Sequence, residues 1–387
     1  MSGGSDGCST FCNWLDAIDE LLYSVGVTIL ENVALAQYTT LGVGGPARWF
    51  VETGDEEEML AAVRFARAEG VQCFVLGGGS NLLVSDEGFN GVVLRIANDT
   101  LAVHALKDSG AVLVEADAGV EWDSVVCAAV EKNAAGIECL AGIPGSVGGT
   151  PVQNVGAYGQ EVASAIYQVH AIDLESERRV RFSQEECGFA YRRSIFNTTR
   201  KGRYLITHVQ YHLNIGQRPH IEYRDVKTYF EQHGVARPSL AETAAAVREI
   251  RARKGMLLAA GDADSRSAGS FFKNPVVAVD ELSRLAAIAG CRVADVPQFP
   301  AGWGYEPEDC VVKLSAAWLI ELAGFDKGFA MGRAGLSTKH VLAIVNRGGA
   351  TAAEIVALRD AVIEGVWART AVRLEQEPVL LGFAAAG

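Results

Sequence analysis

The sequence is short of positive charge. Against 47 Asp and Glu it carries 34 Lys and Arg, a net charge of −13 at pH 7, with a pI near 5.1. No run of Lys and Arg offsets this locally, so a nucleic acid is not an expected partner: its phosphates would be repelled. An anionic small molecule is still allowed, because a pocket needs only a few well-placed donors. No apolar run has the length of a membrane span. The start, MSGGSDGCSTFCNW, has no basic stretch ahead of an apolar core, so it does not read as a secretory signal. Only Cys8 and Cys12 of the 8 cysteines lie close together, and no second Cys or His pair follows to complete a zinc site. Others sit in apolar stretches such as VQCFVL and SVVCAAV, where a reduced, buried thiol is expected. These absences predict a soluble, cytoplasmic protein without a structural metal, and a monomer is the expected state.

What is present suits a globular chain. With 387 residues, 49% of them hydrophobic and 21% charged, two or three domains are expected. Residues 1–28 read as a Gly/Ser-rich tip and a short amphipathic helix, NWLDAIDELLYSVG. Residues 29–92 hold the strand GPARWFVET, a helix opened by Asp55 and Glu58 as a capping box, and the buried strand VQCFVL. That is a β-α-β unit. Residues 93–256 alternate short β-rich runs with glycine-rich loops and the helix WDSVVCAAVEKNAAG, and close with SLAETAAAVREIRARKG, an α+β pattern. A third region, 257–370, contains DELSRLAAIAG, AAWLIELAGF, HVLAIVN and a long helix. The tail, 371–387, is a strand that must pair with something earlier.

The glycine-rich stretches carry the first chemical signal. GVGGPA (42–47) fits a dinucleotide fingerprint in form only, since a strand follows where that fold needs a helix. LGGGSNLLVSD (76–86) is no P-loop, lacking G-K-[ST]. It reads either as a glycine hairpin turn or as a nest in which the N–H groups of Gly77, Gly78 and Gly79, with Ser80 and Asn81, face a phosphate. GIPGSVGGTPVQNVGAYG (142–159) is harder to explain as a turn. Pro144, Gly145, Ser146, Gly148, Gly149, Gln153, Asn154, Gly156, Ala157 and Tyr158 alternate with apolar anchors and almost no charge. Such a loop follows a large, flat, polar ligand by its backbone.

Four motifs in order, LGGGSNLLVSD, GIPGSVGGTPVQNVGAYG, FAYRRSIF and GSFFKNP, resemble the UDP-N-acetylenolpyruvoylglucosamine reductase family from about Tyr38 to Gly382. The resemblance implies an α+β chain with the FAD-binding fold of the vanillyl-alcohol oxidase type. Two FAD-binding parts, 29–92 and 93–256, would be followed by a C-terminal α/β substrate-binding domain at 257–370. It implies non-covalent FAD held by the two glycine loops, and NADPH as hydride donor. The substrate would be a UDP-sugar enolpyruvyl ether of peptidoglycan precursor synthesis. Neither loop contains the His or Cys that often anchors flavin covalently in oxidases of this fold.

The reaction so implied delivers hydride to the methylene carbon of the enolpyruvyl group, so an acid must protonate the neighbouring carbon and donors must face the carboxylate. Ser270 of GSFFKNP is the candidate acid, with Lys273 and Asn274 close in sequence; the local alternative is a turn serine between two phenylalanine anchors. Arg192 matches the residue that grips the carboxylate, where a guanidinium fork fits two oxygens. The tail RLEQEPVL offers Glu377 as the catalytic carboxyl and Glu375 as its alternative. Regular strand alternation would put both on one face. Tyr191, Tyr223, Lys254 and Asn274 are the candidate substrate contacts, Tyr223 matching a loop tyrosine of one family subtype. The segment between Lys254 and Ser270 is longer than that subtype leads one to expect. Two rivals remain open at this point: an oxidase of the same fold, and a sugar-nucleotide binder without catalysis.

Overall fold

The computed structural model describes residues 26–107, 109–259, 261–302 and 304–384. The expected N-terminal helix, like Cys8 and Cys12, falls outside the described residues. The chain continues through β1 (Ile29–Ala34), β2 (Pro46–Thr53), α1 (Glu56–Ala68), β3 (Cys73–Leu76), β4 (Leu82–Val84) and β5 (Phe89–Ile96). Four of these strands form a sheet in the order β1-β2-β5-β3, with β5 parallel to both its neighbours. In β2, alternate residues Ala47, Trp49, Val51 and Thr53 are buried, and Trp49 meets Phe65 of α1 edge-on at 5.2 Å. Asp55 caps α1 by accepting from the N–H groups of Glu57 and Glu58, both at 2.9 Å. Glu58 does not close the expected box with Asp55; its carboxylate accepts from the Gly54 N–H at 2.5 Å.

The β-α-β unit is therefore present, with β5 inserted between its two strands. A boundary at 92/93 would cut β5 in half. Val92, Val93 and Leu94 are all fully buried, so this strand is apolar on both faces and takes the middle of the first sheet.

Next come β6 (Leu101–Leu106), β7 (Ala111–Asp117), α2 (Trp122–Glu131), β8 (Ala134–Ala135), β9 (Gly156–Ala157), β10 (Gln160–Glu161), β11 (Ile166–Asp173), β12 (Arg178–Ser183), β13 (Tyr204–Ile215), α3 (Arg224–Gln232) and α4 (Leu240–Arg253). The large sheet is antiparallel in the order β12-β11-β13-β7-β6, with β8 also on β13. Its apolar face, including Val114, Val209 and Tyr211, shares one core with Trp122 and Val126 of α2. Trp49, Met59 and Phe65 of the first region belong to that same core. The first two regions thus pack as one body across a single apolar interior.

The remainder comprises β14 (Val276–Ala278), α5 (Glu281–Ala289), β15 (Gln298–Pro300), β16 (Val311–Leu314), α6 (Ala316–Leu322), β17 (Ala330–Met331), β18 (Ala334–Leu336), β19 (Ile344–Asn346), α7 (Ala352–Thr370) and β20 (Val379–Leu381). Two small sheets, β14-β16-β15 and β17-β18-β19, flank a separate core. In it the α7 stripe Ile355, Leu358, Val362 and Val366 meets Phe271 and Phe272. The tail is a regular strand only at β20, which pairs in parallel with β4. Before it, Gln376 bridges Phe272. Pro378 has no N–H and separates the two stretches. Among the described residues no helix is long and apolar enough to cross a membrane.

Candidate active site

A cavity of about 1980 Å³ lies where these regions meet, roughly twice the ~300–1,000 Å³ common for ligand pockets. Gly77, Gly78, Gly79, Ser80 and Asn81 line it together with Pro144, Gly145, Ser146, Gly148, Gly149, Gln153, Gly156, Ala157 and Tyr158. Tyr191, Arg192, Tyr223, Lys254, Ser270, Asn274 and Glu377 line it too. Residues up to 300 positions apart are thus brought together on one wall system.

The two glycine loops touch through bare backbone. A Cβ on Gly78 would lie 2.6 Å from the Cα of Gly145, and one on Gly79 (φ +63°) only 1.8 Å from the Tyr38 carbonyl oxygen. The N–H groups of Gly77, Gly78, Gly79 and Ser80 find no backbone acceptor among the described residues, so they remain for a ligand. The side chains act differently from the expectation of extra phosphate donors. The Ser80 hydroxyl donates to the Pro144 carbonyl at 2.9 Å. The Asn81 amide donates to Gln153 Oε1 at 2.7 Å and to the Glu377 carbonyl at 3.3 Å. These groups tie the loops to each other and to the tail. Asn154 does not face the cavity at all. It is fully buried, donating to Glu161 at 2.8 Å and to the Ala190 carbonyl at 3.2 Å, and accepting from the Ala163 N–H at 3.1 Å. Its amide fixes the loop from behind.

Part of the backbone strain lies at the same place. Asn154 (φ +45°), Tyr158 (φ +50°) and Arg192 (φ +57°) all adopt the left-handed conformation, a cost that clusters at functional sites.

Arg192 is held by a Nη2 bond to the Gly156 carbonyl at 2.8 Å. Its Nε lies 2.9 Å from Glu377 Oε1, yet off the hydrogen-bonding line, so Nε has no hydrogen-bond partner and the contact is an ion pair. Burial opposes the Arg192 charge, and Glu377 leads the groups that outweigh it, so its pKa is raised. Glu377 and Glu375 do not share a face as regular alternation would require. The Glu377 side chain is 11% exposed in the cavity, whereas that of Glu375 is 75% exposed and meets Lys273 at 3.3 Å. Lys273, paired with Glu375, does not line the cavity. Phe271 and Phe272 are buried and anchor the loop, with the Phe271 N–H donating to the Leu342 carbonyl at 2.7 Å and the Glu377 N–H to the Phe271 carbonyl at 2.9 Å. Ser270 is left half-buried at the cavity edge.

On the opposite side, Tyr223 stacks on Phe299 at 6.1 Å and meets Tyr158 edge-on at 5.4 Å. Burial pushes both tyrosines up to about 12. The Lys254 ammonium is ion-paired with Asp225, a partner the sequence did not suggest. Asn274 accepts from the Ala316 N–H at 2.9 Å, and its own N–H donates to the Tyr191 hydroxyl at 3.3 Å. Arg251, Lys313 and Glu161 are among the cavity residues that were missed. Arg251, 7% exposed, donates to the Gly142 and Met256 carbonyls at 3.0 and 2.7 Å. Lys313 sits 4.1 Å from the Tyr191 ring centre. Glu161 accepts from Asn154. A lysine inside the apolar run CVVKLS was a readable signal; Glu161 and Arg251 gave none.

Two family models match in succession: an FAD binding domain over residues 47–181, and the C-terminal domain of UDP-N-acetylenolpyruvoylglucosamine reductase over residues 261–381. The enzyme of that name from Thermobifida fusca is 44% identical over 91% of this chain and 98% of its own length. The chain belongs to the UDP-N-acetylenolpyruvoylglucosamine reductase family. A Nocardia farcinica relative of that name is also 44% identical, over 95% of this chain and 93% of its own length. The solved reductase from Thermus caldophilus superposes with a TM-score of 0.59 at 27% identity, covering 92% of this chain and 98% of that one. Membership of this reductase family, with its FAD-binding domain, makes the chain an FAD-dependent oxidoreductase with the α+β FAD-binding fold expected from the sequence.

Proposed function

We propose that the chain catalyses NADPH-dependent reduction of UDP-N-acetylglucosamine enolpyruvate to UDP-N-acetylmuramate through non-covalent FAD, in peptidoglycan precursor synthesis. The observation that carries this reading is the meeting of Ser270, Arg192 and Glu377 at one end of a glycine-walled cavity. The bare N–H groups of Gly77 to Ser80, together with the Gly145 backbone opposite, suit the diphosphate of FAD. Held there by Gly77, Gly78, Gly79 and Ser80, FAD would supply the hydride chemistry that links NADPH to the enolpyruvyl double bond.

The side chains do the rest. Arg192 receives the substrate carboxylate through the N–H groups that the Gly156 carbonyl and Glu377 leave free. As the double bond is reduced, negative charge builds beside that carboxylate, and Arg192 opposes it. Ser270 delivers a proton to the carbon that carries the charge, and Glu377 polarises the same group. Phe271 and Phe272 close the cavity behind Ser270 and keep water out. Tyr191, Tyr223, Asn274 and Lys254 receive the sugar diphosphate, so Lys254 exchanges Asp225 for phosphate. Tyr223 belongs to the loop-tyrosine subtype in this reading. In this reading the acidic chain works as a cytoplasmic monomer. Residues 257–370 form the substrate-binding unit, preceded by the two FAD-binding parts.

Anaerobic absorbance spectroscopy tests the reading. NADPH should bleach the flavin band of the purified protein, and the enolpyruvyl sugar nucleotide should then restore it. Recovery only with oxygen would make the chain an oxidase. A protein that cannot be reconstituted with FAD would overturn the enzymatic reading.

A further inference from the structure

Four ionisable side chains face one another at the reacting end of the cavity: Arg192, Lys313, Glu161 and Glu377. Two cations are balanced by two carboxylates. Tyr191 is the other titratable group among them, and burial keeps its phenol neutral. The two carboxylates are held differently. Glu377 lies against the Arg192 guanidinium at 2.9 Å. Glu161 accepts from the neutral amide of Asn154 at 2.8 Å, and no Lys or Arg nitrogen among the described residues comes within ion-pairing distance of it. Its Oε1 and the Lys313 ammonium instead flank the same glycine: a Cβ on Gly302 would lie 4.0 Å from the one and 3.8 Å from the other. Burial raises the Glu161 pKa, with Arg192 and Lys313 opposing. Burial lowers that of Lys313, with Glu161 opposing.

A substrate carboxylate entering this cluster would make three negative charges against two positive ones in a closed space, which is costly without a compensating proton. We propose that Glu161 takes up one proton from solvent when the carboxylate-bearing substrate binds, keeping the cluster neutral and leaving Arg192 and Lys313 free to hold that carboxylate. This rests on the enolpyruvyl reading above. One O–H bond forms on Glu161 as one bond to hydrogen breaks in a solvent hydronium ion or buffer acid, and no electrons are transferred. Protonating Glu377 would give up its contact with Arg192, whereas protonating Glu161 at Oε1 leaves the Asn154 bond to Oε2 intact. Glu161 is thus a positioning residue: it sets the charge that Arg192 presents.

Isothermal titration of the oxidised holoenzyme, without NADPH and in buffers of different ionisation enthalpy, counts the protons. At mildly alkaline pH the enolpyruvyl nucleotide should bind with uptake of about one proton, and the same sugar nucleotide lacking the enolpyruvyl group with none. The Kd of the enolpyruvyl nucleotide should then rise with pH by up to about tenfold per unit, above the pH at which free Glu161 ionises. E161Q, which can still accept from Asn154, should bind without uptake and with a pH-independent Kd. Uptake by E161Q equal to the unsubstituted protein, or none in the unsubstituted protein, overturns the inference alone. Failure of both nucleotides to bind overturns the functional reading, and the inference with it. If E161Q does not fold, the infrared carboxyl band of the unsubstituted protein decides: a protonated-carboxyl band must appear on binding, and its absence contradicts the proposal.

Discussion

The cavity has two unlike ends. Along the 77–81 and 143–158 loops the wall is backbone, nearly uncharged, and its side chains bond to one another. Around Ser270 the wall is side chains, charged and drawn from residues 161 to 377. Backbone suits a cofactor that stays: bare N–H groups hold a diphosphate and need not change state. Side chains suit a reactant that turns over, because charge and protons must be exchanged in each cycle. The two ends are joined by Asn81, whose amide reaches both Gln153 and the Glu377 carbonyl.

Breaking one end should leave the other working. The largest effect is expected at Glu377: E377Q should lower kcat by about 10²–10³-fold, the scale of one lost electrostatic stabiliser, with the flavin spectrum unchanged. E375Q, on the exposed partner of Lys273, should leave kcat within about twofold, since exposed ion pairs are worth ~1 kcal/mol or less. Equal losses in steady-state assays of both variants would remove the distinction. On the other wall, G79A forces a side chain into a left-handed turn against the Tyr38 carbonyl. A cost of about 1–3 kcal/mol in stability is expected, read as a lower Tm and flavin lost on desalting. N154A should likewise cost about 1–3 kcal/mol by leaving buried partners unsatisfied; unchanged chemical denaturation would contradict its bracing role.

A smaller effect concerns His340, which also lines the cavity. Burial lowers its pKa from 6.5 to about 4, with Lys254 and Lys327 adding to the shift. Unfolded His therefore binds a proton more readily than the folded form, and stability falls as the pH drops from 6.5 towards 4. The loss between pH 7 and 5 should be at most roughly 2 kcal/mol, and H340Q should remove most of it in pH-dependent melting.

The glycine wall was legible in the sequence because its chemistry lies within contiguous motifs. GIPGSVGGTPVQNVGAYG could not be a linker, having apolar anchors every three to five positions. What lay hidden is set by pairing. The Lys254–Asp225 and Arg192–Glu377 contacts join separate elements, and nothing local marks them. The Glu375/Glu377 alternative stayed open because alternation assumes a regular strand, which Pro378 interrupts. Asn154 looked like a loop donor because polarity in a loop does not say which way an amide points. The 92/93 boundary fell inside the strand Phe89–Ile96 because sequence order does not reveal insertion between earlier strands.

The most direct test separates the two half-reactions in S270A by stopped-flow absorbance. NADPH should reduce its flavin at the unsubstituted rate, and reoxidation by the enolpyruvyl nucleotide should then be slower by about 10²-fold or more, the loss of a positioned acid. Reoxidation at the unsubstituted rate, or equal slowing of both halves, would contradict the division of labour between the two ends.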